Sequence, residues 1–90
     1  MKYKIQSILE AKNYSVEEVS VMNLPKTPGK QKVGMIVAYY IKAQHKENNN
    51  RINRFIFNAE YLDGRKTWLA GEYEVDTINK ALDKLIWLSW

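Results

Sequence analysis

His45 is the only histidine in this 90-residue chain, so any proton shuttle near neutral pH would have to run through it. The residues around it offer no partners for that work. There is no cysteine, which excludes a thiol nucleophile, a disulfide and the common structural zinc sites. His45 stands between Gln44 and Lys46-Glu47 ahead of three asparagines, with no second ligand at metal-binding spacing. A serine or threonine nucleophile would need a base and a third, orienting group, and His45 in a turn is a poor base for either. Two carboxylate pairs exist, Glu17/Glu18 and Glu72/Glu74. Glu72 and Glu74 could project from one face of a strand as an acid/base pair, but outward carboxylates on a strand edge are the simpler reading. Gly29, Gly34, Gly64 and Gly71 are isolated, so no phosphate-cradling loop or dinucleotide fingerprint is present. The expectation is a protein that is not an enzyme and that uses no cofactor and no metal.

Residues suited to recognition are more plentiful. The chain holds three tryptophans, six tyrosines and two phenylalanines within a 46% apolar composition. Tyr40, Trp68, Trp87 and Trp90 are the candidate anchors for a protein partner, because large amphipathic rings dominate binding hot spots. Of the two C-terminal tryptophans, Trp87 is expected to complete the core and Trp90 to remain outside as a docking group. A second candidate surface is basic: Lys26, Lys30 and Lys32 in one loop, with Arg51, Arg54 and Arg65 near the hairpins. Cations holding phosphates beside aromatics that stack on bases would make a nucleic-acid site. Glu47, Glu60 and Asp63 interrupt that pattern, and the net charge of +4 is a modest excess of 14 basic over 10 acidic residues. A solvated rim of mixed charge is the preferred reading.

These residues must be positioned by a small number of elements. Ile5, Ile8 and Leu9 follow helical spacing, which predicts a helix over 2–12 ended by Asn13 or Tyr14. Val19 and Val21 alternate with polar neighbours and predict a strand over 17–24. Pro25, Pro28 and Gly29 among three lysines mark an exposed basic loop. Long alternation predicts strands over 33–44 and 51–62, joined by a polar turn at Lys46-Glu47-Asn48-Asn49-Asn50. Asp63-Gly64 signals a hairpin into a last strand over 66–74. A three-residue loop through Arg65 would pair Ala59 with Leu69 and Phe55 with Tyr73, apolar against apolar. Ile78, Ala81, Leu82, Leu85 and Ile86 then form the stripe of a closing helix capped by Asp76 or Thr77. The sum is one α+β domain over 1–90: a four-stranded antiparallel meander flanked by N-terminal and C-terminal helices.

The alternation assigns the two sheet faces as well. Val37, Tyr39, Phe55, Phe57, Leu69 and Tyr73 are expected under a helix. Ile36, Ala38, Tyr40, Ile56 and Trp68 would then lie opposite, where either the N-terminal helix, a second copy of the chain or another partner must cover them. No apolar run reaches the roughly 18–20 residues that span a bilayer. No signal-like apolar block follows Met1-Lys2-Tyr3-Lys4, so a cytoplasmic protein without membrane contact is expected. The abundance of Lys, Asn, Ile and Tyr suits an AT-rich genome such as that of a Gram-positive bacterium or its phage.

Two resemblances attach to these residues. Phe55 to Leu82, through Ala59-Glu60-Tyr61, Asp63-Gly64-Arg65-Lys66, Trp68-Leu69-Ala70-Gly71 and Asp76-Thr77, resembles the strand–strand–helix core of AP2-type and integrase arm-type DNA-binding domains. That likeness implies DNA binding, although the stretch carries an additional Ala70 and Val75 and lacks an arginine-rich first strand. The layout of a short helix, Lys12-Asn13-Tyr14-Ser15-Val16, a meander and a closing helix is similar to small phage anti-CRISPR inhibitors of Cas nucleases. It implies an inhibitor that docks on a host macromolecular machine. A basic chain would do so by occupying a protein surface, since imitation of DNA needs the opposite charge.

Overall fold

The computed structural model describes residues 1–24 and 33–90. In chain order the elements are α1 (Lys2–Ala11), β1 (Tyr14–Leu24), β2 (Val33–His45), β3 (Arg51–Tyr61), β4 (Lys66–Ala70), β5 (Tyr73–Val75) and α2 (Ile78–Leu88). The strands form one antiparallel sheet in the order β1-β2-β3-β4-β5. This is the expected α+β architecture with one strand more than the four predicted. The extra strand arises at Gly71, where φ of +62° opens a tight turn and splits the predicted 66–74 strand in two. A Cβ at Gly71 would also stand 3.0 Å from Leu88 Cδ1, so the turn and α2 share this one backbone position.

The helices lie on the same side of the sheet. Ile5 and Leu9 of α1 share one core with Ile78, Ala81, Leu82 and Leu85 of α2, and the two helices touch. That core rests on Val19, Tyr39, Ile41, Ala43, Ile52, Ile56, Trp68 and Ala70. Register explains the grouping: Val19 faces Ile41, Tyr39 faces Ile56, Ala43 faces Ile52, and Ile56 faces Ala70. Cross-strand partners project from the same face of a sheet. Thr77 caps α2, accepting the Lys80 N–H at 3.2 Å.

Two expectations about faces and register are corrected. Phe55, Phe57 and Leu69 are not under a helix; Ile56 and Trp68 are. Gln44 pairs with Arg51, so an even number of residues bridges β2 and β3, and odd positions of β2 share a face with even positions of β3. The β3–β4 loop has three residues as expected, but they are Leu62, Asp63 and Gly64. Tyr61 N–H donates to Arg65 O at 2.8 Å and closes it. Gly64, at φ +92°, must take the left-handed last position, which fixes Ala59 opposite Thr67 and Phe57 opposite Leu69.

The β2–β3 connection has its own buried polar support. Asn50, 9% exposed, donates from its side-chain amide to Tyr14 Oη at 2.8 Å, and its carbonyl accepts the His45 N–H at 2.8 Å. Tyr14 meets the His45 ring edge-on, with centroids 4.9 Å apart. Burying Asn50 is tolerable because its amide has this partner; Tyr14→Phe would leave the amide unpaired.

Trp68 is 7% exposed and packs at 5.8 Å against Tyr39 in the core, so it is unavailable as the surface anchor the sequence suggested. Trp68→Ala is expected to cost about 3–5 kcal/mol of stability, and Trp90→Ala less than about 0.5 kcal/mol. Urea unfolding of the two variants checks this.

Candidate functional site

The sheet face turned away from both helices is the candidate site. Register places three rows of side chains across it: Ser20, Tyr40 and Phe55; then Met22, Ala38, Phe57 and Leu69; then Leu24, Ile36, Ala59 and Thr67. No described element lies over them. Phe55 and Met22 are 43% and 54% exposed, whereas Ala38 and Ala59 sit sheltered between larger neighbours. Tyr40 and Phe55 pack with centroids 5.1 Å apart, and Phe57 stacks beyond at 6.1 Å from Phe55. The Tyr40 hydroxyl donates to Asn53 Oδ1, which leaves the ring as the part presented to a partner.

One end of this face is charged. Glu17 is the extra residue of a bulge in β1, between Val16 opposite Ala43 and Glu18 opposite Lys42. Its carboxylate reaches Lys42 Nζ at 3.8 Å and Arg51 at 3.5 Å. All three groups are substantially exposed, so the cluster adds little stability. It does occupy both cations at this end of the face. Glu18 accepts the Ser20 hydroxyl, so neither member of the Glu17/Glu18 pair is poised as an acid or base.

The remaining chemical candidates are dispersed. The backbone N–H groups of Glu47 and Asn48 donate to His45 Nδ1 at 3.1 and 3.2 Å, which commits the histidine to its turn. Glu72 lies in the β4–β5 turn, while Glu74 faces Leu69 on the open side of the sheet. Glu74 also borders a groove of about 490 Å³ with Tyr61, Arg65, Lys66, Asp76 and Lys80; His45 is not among its walls. Among the described residues, no three His, Asp or Glu side chains are placed to share a metal ion. No described helix is long and apolar enough to cross a membrane.

The described members of the basic set read from the sequence, Arg51, Arg54 and Arg65, do not converge either. Lys26, Lys30 and Lys32 lie outside the described residues. Arg51 is on the open face, but Arg54 faces Ile41 on the helix side. Arg65 is beyond the other end of β3, roughly 33 Å from Arg51 at strand rise. It bonds Asp63 at 2.8 Å and covers the Tyr61 ring.

Trp87 is 58% exposed, which corrects its assignment to the core. The buried stripe of α2 runs through Ile78, Ala81, Leu82 and Leu85, and at 100° per residue Trp87 is turned some 200° from Leu85. Its ring meets Tyr73 edge-on at 5.9 Å, and Lys84 Nζ lies over both rings at 4.8 and 4.4 Å. Trp90 is 74% exposed at the end of the chain. Sequence alternation named Tyr40 for the open face but missed Phe55, Phe57 and Met22.

Comparison with protein-family models, with curated proteins and with solved structures finds no match to this chain.

The Arg65 backbone N–H and guanidinium hold the Asp63 carboxyl below its ordinary range, and the Lys80 ammonium does the same for Asp76. A depressed folded-state value contributes stability above the unfolded carboxylate range, and that contribution is lost as pH falls through the folded value. Acid should therefore loosen the Leu62–Gly64 turn and the start of α2. Asp63→Asn and Asp76→Asn should each flatten the acid limb of a stability-against-pH curve. Separately, iodide should quench Trp87 and Trp90 but barely reach Trp68. Replacing both exposed tryptophans by phenylalanine should leave fluorescence that iodide hardly affects.

Proposed function

We propose that this protein is a non-enzymatic binding module that docks a protein surface on the open face of its sheet. The observation that carries the reading is the contiguous apolar row set, Tyr40, Phe55, Phe57, Met22, Ile36 and Leu69, on a sheet whose helices both lie on the other side. Apolar patches of this extent on a small chain mark interaction sites, and aromatic side chains are the usual anchors. Tyr40 keeps the anchor role read from the sequence, Phe55 and Phe57 join it, and Trp87 with Trp90 form a separate exposed patch. The finer reading, a phage- or mobile-element protein that inhibits a host machine such as a Cas nuclease by surface occupation, rests on composition and layout.

Nucleic-acid binding draws less support. Lys42 and Arg51, the cations beside the aromatic row, are both engaged by Glu17, Arg54 is on the helix side, and Arg65 at the far end of β3 is bonded to Asp63. A phosphate-tracking surface needs its cations available and together.

Affinity capture from a bacterial lysate, with and without nuclease, tests the proposal. A protein retained after nuclease by the wild type but lost by Phe55→Asp is the expected result. Capture that vanishes with nuclease, or that falls steeply with salt, favours the nucleic-acid reading instead.

A further inference from the structure

We infer that His45 makes the β2–β3 turn a pH-sensitive joint: the neutral ring holds the turn closed, and protonation of the ring lets it open.

The ring is an acceptor. Backbone N–H groups of Glu47 and Asn48 converge on His45 Nδ1 at 3.1 and 3.2 Å. A ring nitrogen that accepts carries no proton, so the neutral imidazole holds its proton on Nε2. An imidazolium is protonated on both nitrogens and can accept at neither. Turning the ring over would put a carbon where Nδ1 stands, so no rotation restores the two bonds. An asparagine at this position would accept the same N–H groups through Oδ1 whatever the pH, as in an ordinary Asx turn.

The bonds of the turn reach into the sheet and the first helix. The His45 N–H donates to Asn50 O at 2.8 Å, and the Lys46 N–H donates to Asn13 O at 2.9 Å, which ties the turn to the α1–β1 junction. Buried Asn50 donates to Tyr14 Oη, and Tyr14 is 2% exposed with its ring against His45. Arg51 follows at once and bonds Glu17. Opening the turn loosens this charged end of the sheet and leaves the isoleucine core in place.

Little around the ring could offset a charge on it. Tyr14 faces His45 from β1, and Asn50 precedes β3. Lys46 and Glu47 of the turn are exposed, as is Glu10 near the end of α1, while Lys12 is bonded to Asp83 of α2. Glu17, Lys42 and Arg51 cluster on the opposite face of the sheet. Among the described residues no carboxylate pairs with the ring. Because only the neutral ring accepts, its contribution to the turn is present above the imidazole range and lost as pH falls through it, roughly from pH 8 to 5. Asp63 and Asp76, held below the ordinary carboxylate range, stay ionised there.

Hydrogen exchange read by NMR at about pH 7.5 and about pH 5.5, corrected for intrinsic rates, tests this. The His45 and Lys46 amides should lose about tenfold in protection at the lower pH, as the loss of two hydrogen bonds implies, with Ile41 and Ile56 unchanged. His45→Asn should keep the protection at both values. In the wild type, the Glu47 and Asn48 amide shifts should move with the ring nitrogen signals at one midpoint, which decides the matter alone if His45→Asn does not fold. Unchanged protection in the wild type, an equal loss in His45→Asn, or a ring that titrates while those two amides stay still overturns the inference.

Discussion

The pairing of Tyr39 with Ile56 sets the character of the whole molecule. It places the odd positions of β2 and the even positions of β3 on one side, where Ile41, Ile52 and Ile56 are fully buried beneath both helices. Two helices of 10 and 11 residues supply one apolar layer and no more. A sheet has two faces, and among the described residues only one of them is covered. The same pairing therefore puts Tyr40, Phe55 and Phe57 outside. Had the β2–β3 connection been one residue longer or shorter, Phe55 and Phe57 would face the helices and Ile52 and Ile56 the open side.

Neighbouring side chains on the open face shelter part of it where no described element lies over it. Ala38, between Met22 and Phe57, and Ala59, between Ile36 and Thr67, are 2% and 3% exposed, so part of the apolar area is already removed from water within the face. Phe55 and Met22, which have no such neighbours on their outer sides, stay exposed. Edge strand β1 carries the Glu17 bulge and the adjacent Glu18, features that discourage uncontrolled edge pairing. The architecture thus permits association through the face more readily than along the edge.

Much of this was legible in the residues. Helical spacing located α1 and α2 within a residue or two, and β2 and β3 followed from alternation. The α2 boundary was visible because Thr77 can accept a backbone N–H and the apolar stripe begins at Ile78. What sequence alone could not settle was parity. Phe55, Phe57 and Ala59 look more like a core row than Ile52, Arg54, Ile56 and Asn58, because Arg54 and Asn58 interrupt the second set. Only the cross-strand register, fixed by the length of a turn, decides between them. Trp68 and Trp87 exchanged expected places for a related reason: aromatic mass signals burial, but its direction depends on register for Trp68 and on helical phase for Trp87. Gly71 split the last strand because left-handed backbone and the nearby Leu88 act together, which spacing does not reveal.

The central claim is that the helix-free face is the docking surface, and two methionines report on it within one chain. Met22 and Met35 are 54% and 52% exposed, but Met22 shares the open face with Ala38 whereas Met35, adjacent to Ile36, points to the helix side. Oxidation by dilute peroxide, read residue by residue by mass spectrometry with and without the protein captured from lysate, compares them directly. The account predicts that Met22 is protected relative to Met35 when that partner is bound. Equal oxidation of the two in both states would contradict it.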